Sequence, residues 1–153
     1  MPTNYSLYSI PAVWGIAIGV HWQAIFLSKR SKEIPPFDNV APRHCVAKMG
    51  ELAKTSEDAA KFIRLEAAQT NIFDNLGWYA GAIVIGNVAR LPVKYLNYVS
   101  AAYVALRVIY SQIYSVNGSK SSYIRSLAYL TSAGLTITTY VKAGNALNRA
   151  ALY

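Results

Sequence analysis

Apolar positions along the chain gather into four blocks, and most of the polar residues fall in one stretch between the first two. The first block runs from about Leu7 to Leu27 and carries no charge. About 20 predominantly apolar residues in a row are enough for an α-helix to cross a bilayer, so this block predicts a spanning helix. Pro11 lies near its start, where a missing N–H costs little. A polar loop follows over about 28–58, with Pro35, Pro36 and Pro42 in its early part and room for a short helix near its end. Further blocks at about 59–87, 95–116 and 123–141 predict three more helices, and a short tail runs on to Tyr153. Asn117-Gly118-Ser119 marks a turn between the last two. The expected fold is all-α, a four-helix integral membrane bundle forming a single domain over residues 1–153.

Charge sharpens this picture. Only 14% of the residues are charged and 54% are hydrophobic, against roughly a quarter charged in an ordinary soluble domain. All acidic residues lie between Glu33 and Asp74, and the rest of the chain has none. The net charge of +8 does not point to nucleic acid, because no basic cluster is interleaved with stacking aromatics. The cations instead flank the apolar blocks, as expected beside anionic headgroups, so membrane lipids are the expected surroundings. The first loop holds Lys29, Arg30, Lys32, Arg43, Lys48 and Lys54, while no Lys or Arg precedes Lys29. The positive-inside rule then places this loop in the cytosol and both termini on the opposite side, a multi-pass arrangement. With no basic residue ahead of it, the first block reads as a retained helix rather than a cleaved signal. Cys45 is the only cysteine and reads as an inert thiol, and His21 and His44 fall in different elements, so no metal site is expected.

Several polar residues sit where a membrane makes them costly. In the second block Arg64, Asn71 and Asp74 recur at i, i+7 and i+10, and in the third Arg107, Tyr110 and Tyr114 recur at i, i+3 and i+7. An ionised side chain inside a spanning helix costs about 2.5–3.5 kcal/mol without a partner or water. Asp74 and Arg107 are therefore expected to face the bundle or a wet cavity, with a purely structural salt bridge between them as the plain alternative. Tyr5, Tyr8, Tyr95 and Tyr98 fit interfacial anchors; Tyr110 and Tyr114, deep in a block beside an arginine, fit a ligand better. Arginines, amides and phenols on one cavity suit a small polyanion.

These residues carry a family resemblance. Arg64, Ala68, Asn71 and Asp74, with Gln69 at a ligand-facing place, then Arg107-Tyr110-Tyr114, then Arg125 with Ser126 beside it, together resemble the motifs of the membrane-associated proteins in eicosanoid and glutathione metabolism. This MAPEG group contains the microsomal glutathione transferases and the leukotriene- and prostaglandin-forming synthases. The Asp38-Asn39-Val40-Ala41-Pro42-Arg43 string is similar to that of microbial and fungal members. The resemblance implies a homotrimer with sites between subunits, located in the endoplasmic reticulum or microsomal membrane in a eukaryote. It implies glutathione as co-substrate, held by Arg64, Gln69, Asn71, Asp74, Arg107, Tyr110 and Tyr114. Arg125, with Ser126, would stabilise the thiolate that attacks a lipophilic electrophile in a transfer, peroxidase or isomerase reaction. The sequence departs from the pattern at Ala67, where many members have a second arginine, at Asp74 in place of Glu, and at Gly77 in place of a proline. Two other readings therefore stand beside it: a glutathione-independent membrane enzyme that tailors a lipophilic natural product, and a non-catalytic lipid-binding member.

Overall fold

The structure is a computed structural model and describes residues 2–115 and 119–151. Among these residues it is all-helical, with a single 3-10 turn, Ser6–Tyr8, ahead of α1 (Ser9–Arg30), α2 (Pro42–Leu52), α3 (Glu57–Val88), α4 (Val93–Ser115) and α5 (Ser119–Ala150). Asn117 and Gly118 of the expected turn lie outside the described residues.

Two boundaries differ from the sequence expectation. The polar loop contains a full helix, α2, so the described chain has five helices rather than four. The last helix does not stop near Val141 but continues to Ala150. Lys142 and Arg149 end the apolar block there, but they do not end the helix: Ala143 is fully buried and keeps that face packed.

Local chemistry sets the ends. Pro42 opens α2, where its fixed φ suits a first turn. Ser56 caps α3 by accepting from the Ala59 N–H at 3.3 Å, and Glu57 and Asp58 meet the positive end of the helix dipole. The other end of α3 closes with the Leu91 N–H on the Gly86 carbonyl and the Arg90 N–H on the Asn87 carbonyl, both at 3.0 Å. This is a Schellman turn with Arg90 at the left-handed position, φ 53°.

The core is built on α1 and α3. Val13, Ala17, Val20 and Ala24 recur on one face of α1 and are buried with Phe62, Leu65, Ala68 and Ile72 of α3. The loop is tied back by Ser28 Oγ, which accepts from the Phe37 N–H at 3.0 Å, and by Ser56 Oγ donating to Glu33. Tyr79 of α3 stacks on Tyr103 of α4, ring centroids 3.7 Å apart. Tyr140 of α5 donates to the Trp78 carbonyl at 3.0 Å, over Gly81, where any side chain would collide with the phenol.

On α4 and α5 several polar residues turn inward. Arg107, Ser100, Ser111, Ser132, Thr136 and Thr139 are buried, while large apolar side chains such as Trp14, Trp22, Leu127, Leu130 and Val141 are exposed. The buried hydroxyls bond their own helices, as Ser111 does to the Val108 carbonyl and Thr136 to the Ser132 carbonyl. By length and composition only the Ser6–Arg30 segment is apolar enough to cross a membrane among the described residues, whereas four such helices were expected. Buried polar residues on α4 and α5, and outward ones such as Asp74 and Thr70 on α3 and Lys142 and Arg149 on α5, lower the average hydropathy of these helices.

Candidate functional site

Arg107 lies on α4, facing α3 and α5, and is 1% exposed. Its Nη1 donates to Asn71 Oδ1 at 3.2 Å and its Nη2 to Ser132 Oγ at 2.8 Å. The guanidinium lies over the Tyr103 ring, 4.7 Å from the centroid, with the rings of Tyr110 and Tyr129 a little further off. Its Nε has no acceptor, and no carboxylate pairs with it among the described residues. Burying an ion costs several kcal/mol, and dipoles and π faces offset only part of that. The pocket thus holds a fixed positive charge in want of an anion.

A cleft of about 380 Å³ opens onto this shell, lined by Asn71, Tyr110, Arg125, Ser126, Tyr129 and Leu130. Asn71 and Tyr110 belong to both the cleft and the surroundings of Arg107. Arg125 lies over the Tyr114 ring at 4.4 Å, and Tyr114 in turn packs on Tyr110 at 5.2 Å. A second cation therefore stands at the cleft, half-buried, with a long hydrogen bond to Ser122 Oγ at 3.4 Å. Three helices supply the site, and each contributes one face.

Of the residues singled out in the sequence, the structure brings together Asn71, Arg107, Tyr110, Tyr114, Arg125 and Ser126. Arg64, Gln69 and Asp74 lie elsewhere. Arg64 lies on the same stripe as Asn71 but two turns away, and its Nη2 is held by Glu57 at 2.6 Å. Gln69 is about 160° around α3 from Asn71, and Asp74 about 60°, at the helical 100° per residue. Asp74 is exposed rather than turned into the bundle as expected, and it makes no ion pair among the described residues, so the alternative of an Asp74–Arg107 bridge is not formed either. Tyr103, Tyr129, Leu130 and Ser132 went unnoticed in the sequence. Their signal was spacing: Tyr103 precedes Arg107 by one turn, and Tyr129 and Ser132 follow Arg125 at i+4 and i+7. His21 also has a partner that spacing could not show, with Nδ1 at 2.7 Å from Glu66 Oε1 between α1 and α3.

The order of these residues and their convergence can be set beside known families. The sequence model of the MAPEG family matches residues 8–145. The chain belongs to the MAPEG family. No curated protein and no solved structure matches it. The match spans α1 through most of α5, so the residues of the cleft and the buried Arg107 fall within the matched range. Membership makes this a protein of a membrane-associated family, in keeping with the exposed apolar residues on its long helices.

Proposed function

We propose that this MAPEG protein is a multi-pass membrane enzyme that binds glutathione in the α3–α4–α5 cleft and delivers its thiolate to a lipophilic electrophile. The observation that carries the reading is Arg107, buried without a carboxylate partner beside a cleft that holds a second arginine. A carboxylate of the tripeptide would neutralise Arg107, while Asn71 and Tyr110 offer groups matched to its peptide bonds. Arg125 would face the sulfur, where a fixed cation favours the thiolate over the thiol. The thiol proton passes to water, and the sulfur attacks an electrophilic carbon supplied from the bilayer. With an epoxide, for instance, the C–S bond forms as the C–O bond opens, and the alkoxide takes a proton from water. The chain contributes proximity and charge.

Insertion of the whole bundle is supported by the exposed apolar faces and the inward hydroxyls, an arrangement suited to lipid. A homotrimer is supported by Gly15, Gly19 and Gly77, which meet nothing within 4 Å in the single chain, and by the outward Asp74. A microsomal or endoplasmic reticulum membrane is the proposed location in a eukaryote. One observation favours a second reading, in which the cleft takes a smaller lipophilic acid without glutathione: Arg64 is already held by Glu57, and Ala67 provides no cation.

Calorimetric titration of the detergent-solubilised protein with glutathione tests the choice. Arg107→Lys keeps the buried charge but loses the fork, and is expected to weaken binding about tenfold or more. Arg107→Ala should weaken it further, and Arg90→Gly, far from the cleft, should leave it unchanged. No heat from the unaltered protein, with heat from a fatty or aryl carboxylate, would move the assignment to the second reading.

A further inference from the structure

At the far end of the bundle from the polar loop, the amino-terminal segment, the α3–α4 turn and the end of α5 come together. Asn4 donates to Asn87 at 2.6 Å, and Asn97 Oδ1 accepts from the Tyr5 N–H at 2.8 Å. The sequence places no acidic residue before Glu33 or after Asp74, so this end carries Arg90, Lys94, Lys142 and Arg149 with no acidic side chain among them. On the proposed orientation it is also the non-cytosolic end, where cations are disfavoured. Their collection there calls for a local anion.

The geometry gives that anion a place. Lys142, Asn145 and Arg149 stand at i, i+3 and i+7 along one strip of α5 and line a pocket of about 390 Å³ with Tyr95, Leu91 and Pro92. The Lys142 ammonium lies 5.2 Å from the Tyr95 ring centroid, and the Tyr95 phenol is bonded to Thr139 Oγ1 at 3.0 Å, which fixes the ring against α5. The wall formed by Leu91 and Pro92 is apolar. Gly86 behind it leaves room for Leu91, Leu96 and Thr139 to close together. Ala146 and the Tyr95 ring complete the apolar part of the lining. Two cations and an amide beside an apolar wall match a phosphodiester head with an acyl chain.

We propose that this pocket is a binding site for one anionic phospholipid, its phosphate held between Lys142 and Arg149. The site rests on the reading that the bundle is embedded in a bilayer, and it is separate from the glutathione cleft. A soluble phosphate ester shares the head chemistry but would leave the Leu91–Pro92 wall uncovered.

Native mass spectrometry of the detergent-solubilised protein, with equal amounts of phosphatidylglycerol and phosphatidylcholine of the same chains, is the test. The expected result is retention of one phosphatidylglycerol per protomer, favoured by roughly thirtyfold, as two cations facing one headgroup would give. Lys142→Gln with Arg149→Gln should abolish the preference, and Lys142→Arg with Arg149→Lys should keep it. Lys29→Gln with Lys48→Gln, at the opposite end, should leave it untouched. Equal retention of the two lipids overturns the site, as does an equal loss in the Lys29/Lys48 pair, which would mean general attraction. Displacement by soluble glycerophosphoglycerol overturns the lipid assignment. A protein that stays in solution without detergent would sink the membrane reading itself, a result distinct from any of these.

Discussion

Arg107 and Arg125 carry the same charge in different settings, and the difference assigns their roles. Arg107 is locked by Asn71 and Ser132 and cannot follow a reacting atom, so it suits a carboxylate whose charge is constant. Arg125 rests on the Tyr114 ring with a long hydrogen bond to Ser122, exposed enough to meet a group whose charge develops. Arg125→Leu, similar in bulk and uncharged, is therefore expected to slow turnover while changing glutathione affinity little. Titrating the ultraviolet absorbance of the bound thiolate should show its midpoint moving to higher pH, toward the ordinary thiol value of about 8.5. Each unit of that movement represents roughly 1.4 kcal/mol of lost thiolate stabilisation. An unmoved midpoint in a folded variant would make Arg125 an interfacial anchor. The Arg107, Tyr110 and Tyr114 stripe was legible in the sequence because all three lie on one uninterrupted helix, where spacing fixes direction. Arg64 read the same way but its Nη2 is held by Glu57, a partner seven residues back that looks in sequence like any solvated acid, while its Nε is buried without an acceptor among the described residues.

Helix cores were easier to read than helix ends. The apolar blocks located α1, α3 and α4 to within a few residues, because each has a continuous buried stripe. α2 was only hinted at, since its buried face is little more than Cys45 and Met49 in a polar stretch. The α3–α4 turn hides a feature that no pattern of polarity reveals. Arg90 occupies the left-handed position of the Schellman turn, where glycine is the usual residue. A non-glycine residue there costs roughly 1–2 kcal/mol, more when branched at Cβ. Arg90→Gly is expected to be neutral or stabilising by up to about 1 kcal/mol, because relief of the strain offsets the extra chain entropy. Arg90→Val should destabilise by about 1–2 kcal/mol. Thermal unfolding in detergent, followed by helical circular dichroism, ranks the three proteins. Valine unfolding at the same temperature as arginine would mean that the turn is not built as described.

At the scale of the whole molecule, the single chain leaves groups facing outward that make sense only with something against them. Apolar side chains exposed on the long helices fit lipid. Small residues do not gain much from lipid, yet Gly15 and Gly19 sit one turn apart on the exposed side of α1, flanked by Trp14 and Trp22. A pair of that kind lets a second helix approach closely, and lipid tails offer no comparable gain. The sequence showed the pair but not its direction, since a glycine packed inside the chain and one turned outward look alike. The structure separates them: Gly81 and Gly86 are crowded by Tyr140, Leu96 and Thr139, whereas Gly15 and Gly19 have open space beyond the backbone. Gly19→Leu therefore has nothing to strike within its own chain, and leucine favours a helix by nearly 1 kcal/mol over glycine. The folded protomer should keep its helical content and unfold no earlier. If α1 lies against another copy in the proposed trimer, the new side chain instead fills the gap that the approach requires. Native mass spectrometry in mild detergent should then show the unaltered protein as a trimer and the variant largely as monomer. Glutathione binding should fall with the trimer if a neighbouring copy completes the cleft, while Gly81→Leu should disturb the protomer itself. A Gly19→Leu variant that remains trimeric would remove α1 from the interface.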